Sequence, residues 1–297
     1  MFSRFQSTPT HRKGYGFYEE WPVVVDRVVK ELLNSLIMER FDSISDQIIA
    51  WANKSEKEKD GRTLIQVIQL VFEKATDAQM SSEIYARLCR KMMEQISPKV
   101  QDYRIMNSEG MPIAGGNLFR RYLLNRCQEG FEIGWVASAT ATGATDAQAV
   151  KRGKEKTKRD EDEFYAAVKA KRRGLALIRF IGELFKVQML TERIMHECIT
   201  KCLSNLENPK EDEIESLCEL LTTVGSVLDT PKDRPRLDLY FSHMRELTEN
   251  ENVNMRMVFK LQVCSLDPLP IWRTLITVTR IPRTLSGFAN VNGFLAT

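Results

Sequence analysis

VDRVVKELLNSL, residues 25–36, decides the fold. Its apolar side chains Val25, Val28, Val29, Leu32, Leu33 and Leu36 recur at i, i+3, i+4, i+7, i+8 and i+11, the spacing that aligns them on one face of an α-helix. The same template fits Leu64, Val67, Ile68, Val71 and Phe72, then Tyr85, Leu88, Cys89, Met92 and Ile96, then Ile214, Leu217, Cys218, Leu221 and Leu228. Further amphipathic helices are expected near 43–53, 117–130, 191–206 and 236–248, whereas 164–187 is apolar on more than one side and is expected to lie deep. No segment alternates at period 2, so no strand is predicted. Asn208-Pro209 followed by Glu211, Asp212 and Glu213 marks a helix start, and Thr230-Pro231 repeats the cap-then-proline order.

Grouped in consecutive pairs, the helices span about 24–53, 60–96, 116–187, 190–228 and 231–262, near the ~40-residue period of HEAT-type repeats. The predicted fold is therefore all-α, a HEAT-repeat solenoid of about five antiparallel helix pairs with a long insertion in the third. That insertion, 131–163, turns Ala/Thr/Gly-rich and then becomes a charge run, so it reads as a mobile loop. Residues 97–116 read as a second loop, and 1–21 as a flexible segment ahead of a 22–262 domain. From Val263 the texture changes: the last 35 residues hold one acid, Asp267, with three prolines and five threonines and no helical stripe. Residues 263–297 are expected to be an atypical tail, disordered and derived from a translated intron or an error in gene prediction, against the alternative of a lineage-specific extension.

The chain of 297 residues is long enough for one or two domains, and its 43% hydrophobic and 28% charged content excludes wholesale disorder and fibrous classes. A net charge of +3 demands no nucleic-acid partner, so any such role must come from local clusters. No run approaches a membrane span and MFSRFQSTPTHRKGYGF lacks the apolar core of a secretory signal, so no membrane association and a cytoplasmic location are expected. The six cysteines show no CxxC pair and read as small core hydrophobes.

Reactive groups are sparse. The three histidines, His11, His196 and His243, lie far apart, and no phosphate-binding, nucleophile-elbow or zinc-protease motif is present. Neither enzyme activity nor a cofactor is expected. Cys198 and Cys202, four apart beside His196, lack the second cluster that a zinc site needs, so no metal is expected. Gly115-Gly116 reads as a loop entering a helix rather than a phosphate cradle. Basic residues do cluster: Lys151, Arg152, Lys154, Lys156, Lys158 and Arg159, then Lys169, Lys171, Arg172 and Arg173. These are candidate phosphate contacts for RNA, with a solvated loop balanced by Asp160 to Glu163 as the alternative.

The strings IRFIGELFK (178–186), MLTERIMHEC (189–198) and LLTTVG (220–225), with LLNSLIMERF at 32–41, closely resemble the middle domain of eukaryotic translation initiation factor 4G, of a fungal type. The resemblance runs from about 22 to 262, departing at Ser35 and Ile37, where the family usually has lysine and threonine, and ending at MRMVFKLQ (255–262). It implies a scaffold of the cap-binding translation initiation complex that clamps the DEAD-box helicase initiation factor 4A by both lobes and binds mRNA, alongside other initiation-complex proteins. By that resemblance the first repeat binds the carboxy-terminal lobe through Trp21, Leu33, Leu36 and Phe41, although the three apolar residues could equally be core. Trp21 precedes the first helical stripe, as an interface anchor would. The last repeats, around Arg256 and Lys260, are expected to take the amino-terminal lobe. The alternative is a related HEAT solenoid of nuclear RNA metabolism, from the cap-binding complex or an RNA-decay factor; an α-helical enzyme is a less specific third possibility.

Overall fold

The computed structural model describes residues 16–77, 82–148 and 158–264, with side chains over 21–77, 82–133 and 165–264. Ten α-helices follow one another: α1 (Gly16–Asn34), α2 (Phe41–Asn53), α3 (Arg62–Asp77), α4 (Ser82–Gln95), α5 (Gly115–Gln148), α6 (Lys158–Lys186), α7 (Glu192–Cys202), α8 (Glu211–Leu228), α9 (Arg234–Glu249) and α10 (Met255–Cys264). A short antiparallel hairpin, β1 (Gln101–Met106) and β2 (Pro112–Ala114), separates α4 from α5. The described residues are thus all-α apart from one hairpin, and consecutive helices pack together as α1 with α2, α3 with α4, α7 with α8 and α9 with α10, the helix-pair pattern of a HEAT-type solenoid. Two compact units share them, one through Trp135 and one from Val136.

In the first unit the α1 stripe is buried as its spacing predicts: Val25, Val29, Leu33 and Leu36 face α2 and α3, and the Tyr85 hydroxyl of α4 donates to the Leu33 carbonyl at 3.2 Å. Each such fully buried side chain contributes about 1.5–3 kcal/mol. The start of α3 is fixed by Glu58, whose carboxylate accepts the Thr63 N–H at 2.8 Å, the Thr63 hydroxyl at 2.6 Å and the Ser55 hydroxyl at 2.7 Å. At the start of α5, Gly115 has φ +58°, and a Cβ on Gly116 would stand 1.9 Å from the Met93 carbonyl oxygen. The glycine pair is a steric requirement of α4 meeting α5.

In the second unit α6 packs along α8, with Phe180, Ile181 and Leu184 buried opposite Leu217, Leu220, Leu221 and Val224 on α8. Gly182 leaves no room for a side chain between them, since a Cβ there would sit 2.7 Å from Thr223 Cγ2. Residues 176–185 of α6 are inaccessible except Arg179, as the many-sided apolar pattern predicts, while 165–173 are largely exposed. Helix α10 closes over α8 and α9 through Met257, Leu261 and Cys264.

Five expectations need correction. Residues 97–116 fold as a hairpin whose NSEG turn is built by Asn107, the Oδ1 of which accepts the N–H groups of Glu109 (3.0 Å) and Met111 (2.9 Å). β1 escaped notice because it does not alternate; Asp102, its most buried side chain, is an acid. That carboxylate accepts from the Arg104 backbone N–H (2.8 Å), from the Arg104 guanidinium (2.9–3.2 Å) and from the Tyr122 hydroxyl of α5. The stretch 131–163 is helical through Gln148 and again from Lys158, because Ala137, Ala139, Ala141, Ala144 and Ala147 favour helix without needing a core; 149–157 lie outside the described residues. Helix α1 begins at Gly16, inside the segment expected to be flexible, and carries Pro22. Helix α9 begins at Arg234 rather than at Pro231, with Pro235 in its first turn and Thr230 bonded to Asp233 before it (Oγ1 to Oδ2, 2.9 Å). Helix α10 continues past Gln262 to Cys264, leaving 265–297, most of the expected tail, outside the described residues.

Candidate protein-docking and RNA-contact surfaces

Helix α10 is apolar on two opposite faces. Met257, Leu261 and Cys264 point into the core, whereas Met255, Phe259 and Val263, spaced i, i+4, i+8, are 65%, 60% and 55% exposed. These three form an exposed apolar stripe on the last described helix, a candidate contact surface. Beside it on the same helix stand Arg256 and Lys260.

Both cations reach a buried acid. Glu215 of α8, 5% exposed in its side chain, is bonded by the Arg256 guanidinium, lies 3.8 Å from Lys260 Nζ and 3.0 Å from Lys171 Nζ of α6. Lys171 also meets Asp212 at 2.8 Å. Burial works to lower the Lys171 pKa, yet its bonds to Asp212 and Glu215 hold it above the ordinary lysine value. One carboxylate therefore ties together α6, α8 and α10, and fixes the rim of the α10 stripe. Lys171, expected at an RNA surface, and Arg256 and Lys260, expected at a helicase surface, meet in one network.

The first-repeat residues divide. Leu33 (1% exposed), Leu36 (6%) and Phe41 (8%) are core, so their predicted role as direct partner contacts is corrected: the stripe spacing that suggested them is the spacing that buries them. Arg87 and Lys91 of α4 lie over the Phe41 ring, 5.1 and 5.6 Å from its centroid. Trp21 is half-buried; its ring lies 5.9 Å from that of Trp51 on α2, and the Lys54 ammonium sits over both, 5.2 and 3.1 Å from their centroids. Burial lowers the Lys54 pKa.

Of the basic residues, Lys151, Arg152, Lys154 and Lys156 lie outside the described residues, and Lys158 and Arg159 open α6, their side chains undescribed. Lys169, Arg172 and Arg173 are exposed on α6. His196 and Cys202 are buried, burial pushes the Cys198 thiol up to about 11, and among the described residues no group of three potential ligands is placed to hold a metal. No helix among them is long and apolar enough to cross a membrane.

Across this framework, residues 26–266 match the MIF4G domain family. The chain belongs to that family. This MIF4G domain is 46% identical over 266 residues to eukaryotic translation initiation factor 4 gamma of Schizosaccharomyces pombe, covering 89% of the chain and 18% of that protein. It is 37% identical to eukaryotic initiation factor 4F subunit p130 of Saccharomyces cerevisiae (84% and 27%) and 36% identical to eukaryotic translation initiation factor 4 gamma 3 of mouse (80% and 14%). The likeness is of fungal type, and the chain spans about a fifth of the length of such relatives. A crystal structure of the MIF4G domain of Trypanosoma cruzi translation initiation factor EIF4G5 overlays 80% of the chain and 92% of its own at 17% identity and TM-score 0.49.

Sequence reasoning singled out Arg256 and Lys260 but missed Met255, Phe259 and Val263 beside them. The signal was present: a ten-residue helix carrying apolar residues on two opposite faces can bury only one against its own domain.

Proposed function

We propose that this MIF4G domain is a scaffold of the cap-binding translation initiation complex, working in the cytoplasm, that binds the DEAD-box helicase initiation factor 4A, raises its ATP turnover and contacts mRNA. The observation that carries the reading is the exposed Met255, Phe259 and Val263 stripe with Arg256 held beside it by Glu215. An apolar anchor with a pre-positioned guanidinium has the composition of a protein-binding hot spot. The names of the related proteins, initiation factors, support a role in translation initiation. A second helicase contact is assigned to Trp21 in the first unit, where the Trp51 and Lys54 platform holds the indole half-exposed. The domain lacks an evident catalytic constellation among its described residues, so the mechanism is positional: each helicase lobe is held by one surface, which limits the lobes' relative freedom and favours an active, half-open arrangement that brings the lobes together for ATP turnover. Lys169, Arg172 and Arg173, with the preceding 151–159 cluster, supply the RNA contact through phosphates.

The test is binding of purified initiation factor 4A and its RNA-stimulated ATPase rate. Phe259→Ala is expected to weaken binding about 10-fold or more, the hot-spot range, and to reduce stimulation with an unchanged melting temperature, because Phe259 is outside the core. Equal binding by Phe259→Ala and Phe259→Asp, or a turnover equal to that of helicase alone, refutes it.

A further inference from the structure

Helix α10 meets α8 across a pair of cysteines, Cys218 within α8 and Cys264 at the last residue of α10, 46 positions apart in the chain. Each thiol reaches the other's helix: Cys264 Sγ lies 3.9 Å from the Cys218 carbonyl oxygen, and Cys218 Sγ lies 3.9 Å from the carbonyl oxygen of Lys260, one turn before Cys264. Both residues are buried, and the core packing of α10 on α8 and α9 already engages Met257 and Leu261. The arrangement is a dithiol between two helices. Cys198 and Cys202, by contrast, sit on successive turns of α7, where a bond would join a helix only to itself.

The two sulfurs of the pair differ chemically. The hydrogen bond from Cys218, with a second from Thr222 and the charge of Lys260, outweighs burial and holds the Cys264 thiol below its ordinary pKa. The same contact, together with burial, pushes the Cys218 thiol up. Burial also pushes up the thiols of Cys89, Cys198 and Cys202. A thiolate is the form that a peroxide oxidises, so Cys264 is the entry point and protonated Cys218 its resolving partner. Access favours the same residue, since Cys264 ends α10, where a helix frays, and its neighbour Val263 is exposed. The small shift needed to join the sulfurs therefore falls on a helix end rather than a helix middle.

We propose that Cys218 and Cys264 are a peroxide-oxidised pair whose disulfide staples α10 to α8. The Cys264 thiolate attacks one oxygen of hydrogen peroxide, the O–O bond breaks, and hydroxide leaves, taking up the proton that Cys264 gave up; the product is a sulfenic acid. The Cys218 sulfur then attacks the Cys264 sulfur, the S–O bond breaks, and the departing hydroxide leaves as water with the Cys218 proton. Two thiols are oxidised to one disulfide, and one peroxide is reduced to two waters. Exchange with a dithiol reverses the bond. The disulfide constrains the unfolded chain over a long loop and fixes the helix that carries Met255, Phe259 and Val263, whatever molecule docks there.

The test is mass spectrometry of the whole chain, reduced, treated with hydrogen peroxide, then unfolded and alkylated with iodoacetamide. The expected product is a peptide pair joined through Cys218 and Cys264, with Cys89, Cys127, Cys198 and Cys202 alkylated. Its melting temperature is expected to lie about 5 °C or more above that of the reduced protein and to return on adding dithiothreitol. In peroxide-treated Cys218→Ala, dimedone, which traps sulfenic acids, is expected to label Cys264, while Cys264→Ala is expected to leave Cys218 unlabelled. If either variant fails to fold, the wild-type peptide pair and melting shift decide alone. Recovery of Cys218 and Cys264 as alkylated thiols after peroxide treatment overturns the proposal, as does a bond from either to a different cysteine. A Cys218–Cys264 bond that leaves the melting temperature unchanged overturns the staple, and dimedone on Cys218 in Cys264→Ala overturns the assigned order of attack.

Discussion

Replacing Asp102 by Asn removes the buried charge of β1 while preserving the side chain's shape. In the native domain the Asp102 carboxylate is 1% exposed and accepts from both Arg104 and Tyr122, joining the hairpin to α5, and Arg104 carries the link on by donating to the Asp60 carbonyl at 3.0 Å. Burial opposes ionisation, but the Arg104 and Tyr122 bonds prevail and bring the pKa from 3.8 down to about 2, while burial and the same carboxylate push the Tyr122 phenol up to about 12. The folded form therefore holds the ionised acid more tightly than the unfolded chain does. That preference is worth about 2 kcal/mol, fully present above pH ~4 and lost as the pH falls through ~2. In Asp102→Asn the Tyr122 hydroxyl still finds the amide oxygen, and the 64%-exposed Arg104 rehydrates, so no stranded buried charge inflates the cost. The expected loss is about 2 kcal/mol at pH 6, narrowing to below about 1 kcal/mol at pH 2.5. Urea unfolding of both proteins at the two pH values measures it. A gap that stays constant between them, or one below about 0.5 kcal/mol at pH 6, would refute the reasoning.

Glu215→Gln unties Lys171, Arg256 and Lys260 at once; because those cations are partly hydrated, the expected cost is about 1–3 kcal/mol, with weaker helicase binding than the stability loss explains, checked by unfolding and binding together. Gly182→Ala forces a methyl against Thr223 and is expected to cost about 1–3 kcal/mol, which Thr223→Ser should partly restore by deleting Cγ2 while keeping the hydroxyl that bonds the Glu219 carbonyl at 2.8 Å; thermal melts of single and double variants decide it. Trp21→Ala is expected to lower stability by about 1 kcal/mol through loss of the Trp51 contact, in addition to weakening helicase binding, so the simpler view of Trp21 as a pure interface anchor fails if calorimetry shows this shift.

Period 3.6 was enough, from sequence alone, to place the helix pairs and most of the core, because burying one stripe per helix is a local bargain that Val25, Val29 and Leu33, or Leu217, Leu221 and Val224, strike with any neighbour on that side. The motifs IRFIGELFK, MLTERIMHEC and LLTTVG likewise carried the family. Periodicity could not distinguish a buried stripe from a docking stripe: Leu33 and Leu36 were read as possible contacts and are core, while Phe259, overlooked, is exposed. Which apolar face meets solvent depends on what packs against it, and that is settled only when α8 and α9 close over Met257 and Leu261 and leave Met255 and Phe259 outside. The hairpin was hidden for a related reason, since its inward residue is the acid Asp102, tolerable there only because its strand neighbour Arg104 and Tyr122 of α5 both bond its carboxylate. The convergence of Lys171, Arg256 and Lys260 on Glu215, and of Tyr240 and Asp233 on His196, joins residues about forty or more positions apart in most cases. Spacing along the chain encodes the helices; electrostatic partners separated by a helix pair are chosen by the tertiary structure, because only it brings their charges within reach and removes the water between them.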